Sequence, residues 1–137
     1  MIKVLEIGGY AAGYFGRLFA RQGAEVTRLA LPASPPAWAS VEAMSAFLHG
    51  DKRSITLASA DRVQAYVDAA DVVVCEADSA DALDALGFDD WQTGIKVAIT
   101  PFGRTGPKRN WQSTPSTLLA MGGYTFLMGD PGRAPLN

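Results

Sequence analysis

Gly8 and Gly9, followed by Gly13 and Gly16, stand just after a β-branched run and open a helical pattern. Glycines there let the chain turn tightly, and they let backbone N–H groups at a helix start approach an anion. Phosphate binding is the chemistry this arrangement suggests first. The dinucleotide fingerprint, however, needs glycine at positions 8, 10 and 13, and residue 10 is Tyr. The second strand also lacks an acidic residue at its end for a ribose, since Arg28, Ala30 and Leu31 stand there. No Gly-Lys-Ser/Thr follows the glycines, so they form no P-loop. NAD(P) is therefore not expected. The glycines serve a tight turn against the helix, with an anionic ligand on the helix amino end as the alternative.

Other reactive side chains are few. Cys75 closes the apolar run Val72-Val73-Val74 and reads as a core residue. One Cys and one His do not begin a four-ligand zinc site, so no metal is expected. His49 sits at a helix end and reads as a polar cap or surface residue rather than a base. Ser113, Thr114 and Ser116 surround Pro115 without a general base nearby in sequence. Ser113 or Thr114 fits a helix cap, with Pro115 at the first helical position.

The chain has 137 residues, 48% apolar and 19% charged, which suits one soluble globular domain spanning 1–137. A net charge of −2 gives no basic footprint for nucleic acid. No run of 18 apolar residues suggests a membrane span, and the amino terminus enters a strand pattern without a signal region. A cytoplasmic location is expected.

Positioning falls to alternating strands and helices. Strand patterns cover Ile2–Ile7, Glu25–Leu31, Arg53–Leu57, Val72–Cys75 and Ile95–Thr100. Helical spacing covers 12–22 (with Tyr14, Phe15, Leu18 and Phe19 on its apolar face), 41–48, a segment capped by Ser59 or Asp61 through Ala69, and 81–86. Residues 102–112 form a loop rich in Gly, Lys and Arg, and 113–128 form a helix or a helix and a turn. Apolar strands alternating with helices predict a doubly wound, Rossmann-like α/β layer with a mostly parallel sheet covered on both faces.

Several blocks, taken in order, resemble the family III CoA-transferases, which include formyl-CoA transferase, carnitine CoA-transferase and α-methylacyl-CoA racemase. They are Val4-Leu5-Glu6 with Ala12-Gly13, Gly23 to Arg28, Lys52-Arg53-Ser54-Ile55-Thr56-Leu57, Ala70 to Val74, Leu86-Gly87-Phe88, Phe102-Gly103-Arg104-Thr105-Gly106-Pro107, and the tail Ala120 to Pro131. The resemblance implies a Rossmann-like sheet that binds coenzyme A. It also implies an aspartate that takes the acyl group as a mixed anhydride and carries CoA as a thioester, the logic of covalent catalysis. Arg28, Lys52, Arg53 and Gly103 are the implied CoA contacts, and each cation has the alternative of a solvated surface role.

The departures matter as much. Counting from Pro107 forward or from Ala120 back, the aspartate's place falls at Pro115, so no catalytic residue is assigned. Where the family carries an Asn-Phe-Arg-Pro-Gly-like turn against CoA, this chain has Glu76-Ala77-Asp78-Ser79-Ala80-Asp81, expected as a solvated acidic turn. Lys108 and Arg109 are expected to flank their loop in solvent. Family members are longer and carry a second, smaller domain, which residues 1–137 are expected to lack. The expectation is an amino-terminal lobe, inactive by itself, working with CoA or acyl-CoA as a homo-oligomer or beside a partner CoA-transferase subunit. The alternative is a non-catalytic scaffold or regulatory module.

Overall fold

A computed structural model describes residues 1–31, 41–59, 62–128 and 132–134. Five strands are β1 (Lys3–Ile7), β2 (Glu25–Ala30), β3 (Arg53–Thr56), β4 (Val72–Glu76) and β5 (Ile95–Ile99). The helices are α1 (Tyr10–Arg21), α2 (Glu42–His49), α3 (Val63–Val67), α4 (Ala80–Ala85), α5 (Pro115–Met121) and α6 (Tyr124–Leu127). All strand pairs are parallel, in the order β3-β2-β1-β4-β5. The expected α/β layer is present, and the described sheet is wholly parallel. Its order reverses between β1 and β4, the crevice where such sheets hold ligands.

Two cores flank the sheet. On one face Val4, Val26 and Val72 pack with Phe15 and Phe19 of α1. On the other, Leu5, Ile7, Leu29, Val73 and Cys75 meet Val63 and Val67 of α3, Leu83 of α4, Phe88 and Trp91. Strand alternation sends neighbouring residues to opposite faces, which accounts for two cores from one apolar run. Cys75 is fully buried, and burial pushes its thiol up to about 12.

Helix α1 departs from the sequence expectation. Tyr14 and Leu18 are substantially exposed, whereas Ala12, Gly13 and Gly16 are its buried residues. Apolar periodicity identified the helix but not the face that sits deepest. That face is small because polar side chains from three other elements pack under it. Helix α3 is shorter than expected, five residues, and its N-cap residue Arg62 makes no capping side-chain bond. Asp61 lies outside the described residues. At the far end, Thr114 caps α5, its Oγ1 accepting from the Thr117 N–H, with Pro115 in the first turn. Gly123, at φ +77, separates α5 from α6.

Candidate functional site

Strand β1 delivers one buried carboxylate to the α1 side of the sheet. Glu6 is 2% exposed, one step above Val4 on the same face. Lys52, in the turn before β3, places Nζ 2.5 Å from Glu6 Oε2 and 2.6 Å from the Gly13 carbonyl oxygen. Its side chain is 1% exposed. His49, the last residue of α2, puts Nδ1 3.4 Å from Glu6 Oε1 with 9% of its side chain exposed. The glycines of α1 make this possible. A Cβ on Gly16 would lie 1.8 Å from Glu6 Oε2, and one on Gly13 would lie 3.1 Å from His49 Cε1. The reading of His49 as a surface or capping residue is therefore corrected: it is packed beneath α1 against a carboxylate.

Burial raises the Glu6 carboxyl to about 7, against the opposing pull of Lys52 and Arg28. Burial lowers His49 to about 4, aided by repulsion from Arg28 and Lys52. Burial also lowers the Lys52 ammonium, while Glu6 holds it up. The shifts of Glu6 and His49 act oppositely on stability. Folded Glu6 binds its proton more tightly than in the unfolded chain, so its contribution is complete below pH 4.5 and is lost as pH rises through about 7. Folded His49 binds its proton less tightly, so its contribution is complete above pH 6.5 and is lost as pH falls through about 4. Between about 4.5 and 6.5 the slopes cancel. Calorimetric melting is expected to give a nearly flat profile there, and Glu6→Gln should leave a rising one. A flat Glu6→Gln profile would contradict this assignment.

The implied CoA contacts do not converge. Arg28 on β2 is in register with Glu6 and shares its face. It is half-buried, and among the described residues its guanidinium has no ion pair or hydrogen bond. Lys52 lies beneath α1, so the alternative of a solvated surface cation does not describe it. Arg53 pairs in register with Thr27 and therefore faces the other side. There it lines a cavity of about 330 Å³ with Leu5, Thr27, Ile55 and Tyr66. Gly103, at φ +79, is exposed in the loop after β5, on the opposite half of the sheet from β2.

Sequence reasoning missed Glu76. Its Oε2 accepts a 2.8 Å hydrogen bond from the Ala12 N–H in the first turn of α1. A Cβ on Gly8, itself at φ +129, would lie 2.6 Å from the Cβ and carbonyl oxygen of Glu76. The Gly8-Gly9 turn is thus glycine because the tip of β4 crosses it. The helix amino end, where an external anion was the alternative, holds the chain's own carboxylate. The available signal was an acid ending an otherwise apolar strand that neighbours β1.

Asp81 of the acidic turn is paired as well, and so are two acids beyond it. Arg104 bonds Asp84 at 3.1 Å and Asp89 at 2.7 Å. Arg109 bonds Asp81 and lies 3.7 Å from Asp84. Its carbonyl accepts from the Ala80 N–H, and Asn110 Oδ1 accepts from the Asp81 N–H. Arg109 is therefore not a loose solvent cation: residues 109–110 are fastened to the amino end of α4, and Arg104 to its last turn and the segment after it. Lys108 stands 4.9 Å over the Trp111 ring. This strap leads to exposed Pro115, and no Asp or Glu occurs between Asp90 and Asp130.

Comparison with known proteins agrees with this architecture. The succinyl-CoA:(R)-benzylsuccinate CoA-transferase subunit BbsE of Thauera aromatica is 27% identical over 156 residues, covering 98% of this chain and 38% of its own length. A CaiB/BaiF family protein from Brucella suis superposes with a TM-score of 0.84 at 27% identity, over 99% of this chain and 42% of that one. Rv3272 from Mycobacterium tuberculosis shares the fold, with a TM-score of 0.79 at 20% identity over 98% of this chain and 42% of its own. The chain thus spans less than half the length of these relatives. The description of CoA-transferase family III matches residues 1–137 throughout, and the chain belongs to that family.

Proposed function

We propose that residues 1–137 act as the amino-terminal lobe of a CoA-transferase, offering surface to CoA or an acyl-CoA without supplying the nucleophile. Family membership supports the substrate class. Arg28 supports a phosphate contact, being a guanidinium in the carboxyl-terminal half of β2 with no ion pair or hydrogen bond among the described residues. Position 115 carries the inactive half of the reading. CoA transfer through a covalent intermediate needs a carboxylate that attacks the thioester carbonyl. Here α5 opens on a proline whose ring offers no lone pair for that attack. The nucleophile then comes from another subunit, a homo-oligomer partner or a distinct CoA-transferase chain, in the cytoplasm.

A second reading, a scaffold that binds no CoA, is favoured by Glu76, whose carboxylate occupies the amino end of α1. Titration calorimetry with CoA and succinyl-CoA separates the two. Binding that Arg28→Ala weakens about tenfold, the loss of roughly one charge-assisted contact, supports the lobe reading. Absence of heat at millimolar ligand leaves the scaffold.

A further inference from the structure

Lys52 was expected to touch phosphate, yet its ammonium is enclosed by Glu6 and the Gly13 carbonyl. Its effect on a ligand must then be indirect. Glu6 and Arg28 are cross-strand partners on one face, so the buried carboxylate lies beside the half-buried guanidinium. Left alone, a carboxylate and a guanidinium so placed draw together into a bidentate pair. Lys52 instead takes one oxygen of Glu6, holding Oε2 at 2.5 Å, while His49, a neutral imidazole above a pH of about 4, stands with Nδ1 3.4 Å from Oε1. The other nearby arginine, Arg17, is engaged elsewhere: it donates to the Phe47 carbonyl and lies 3.9 Å over the Phe47 ring. Arg28 is left as the cation of this cluster without a partner among the described residues.

We propose that Lys52 is a positioning residue which, by holding Glu6, keeps the Arg28 guanidinium open for an external phosphate. The phosphate's identity as part of CoA rests on the function proposed above, but the holding of Glu6 does not. Lys52→Met releases Glu6, which pairs with Arg28 and closes the site. Glu6→Gln/Lys52→Met removes the competitor and opens it again. Lys52→Arg keeps the charge and behaves as the parent does. Lys52→Gln, which removes the charge that holds Glu6 while leaving a polar amide for the Gly13 carbonyl, is the second variant should Lys52→Met fail to fold.

The test has two readouts at pH 8, where Glu6 is ionised in the parent. The first is the Arg28 Nε–H resonance in nitrogen-15 spectra without ligand. The second is the affinity for CoA. In Lys52→Met or Lys52→Gln the Arg28 signal should shift downfield and exchange more slowly. Both effects should vanish in the double variant and in Lys52→Arg. CoA affinity should fall at least about tenfold in the single neutral variant and return to within about threefold in the double, a difference of roughly 1.4 kcal/mol or more by the constant relating affinity to free energy. An Arg28 signal indifferent to Lys52, or a double variant as weak as the single, overturns the proposal. If the parent binds no CoA while the Arg28 signal responds as expected, the substrate reading falls and the positioning role stands.

Discussion

Lys52→Met is expected to destabilise the fold by about 3 kcal/mol, the low end for a broken buried pair, because Glu6 loses the cation at 2.5 Å and can re-pair only with half-buried Arg28. For a domain of this size that is a melting temperature lower by ~10 °C or more. The loss does not measure the worth of the ion pair. Taking both charges from water costs nearly what their attraction returns, so Glu6→Gln/Lys52→Met should recover most of the stability. Denaturant unfolding of the parent, both single variants and the double gives a closed cycle. A coupling of about 2 kcal/mol or more is expected between the two positions. Additive effects would show that the groups ignore each other, against a separation of 2.5 Å.

The second large effect is on chemistry. The purified chain, incubated with succinyl-CoA and an acceptor carboxylate, is expected to exchange CoA at the uncatalysed rate. Borohydride or hydroxylamine should trap no acyl- or thioester-linked protein. Pro115→Asp is expected to change neither result. An aspartate there would sit in the exposed first turn of α5, beside the paired Thr114 and Thr117 hydroxyls. It would have no apolar enclosure to orient an acyl group. Transfer by the parent at ordinary enzymatic rates would overturn the reading of position 115. Transfer by Pro115→Asp alone would show that these residues already hold the remaining machinery.

The elements of this fold were legible because β4 and β1 are apolar runs bounded by glycine and acidic turns, and because α1 repeats its apolar residues at helical spacing. The α5 start was equally plain, since Thr114-Pro115 satisfies both the cap and the restricted first turn. What stayed hidden were contacts between residues far apart in sequence. Glu6 with Lys52, and Ala12 with Glu76, join positions 46 and 64 apart. Local patterning carries no such information, and it left Lys52 between a CoA contact and a solvated surface cation. Period-two alternation does separate Lys52 from Arg53, but only the pairing of Arg53 with Thr27 shows that Arg53 belongs to the α3 face. Arg109 of the strap looked like a solvent charge because its acids, Asp81 and Asp84, lie on α4, before β5.

Glu76 ties the tip of one strand to the first turn of a helix that follows another strand. Breathing of the central sheet and fraying of that helix are thereby one event. The Ala12 amide hydrogen becomes an isotopic reporter on it. In deuterium oxide its exchange should track that of the β4 amides, and Glu76→Ala should uncouple the two clocks.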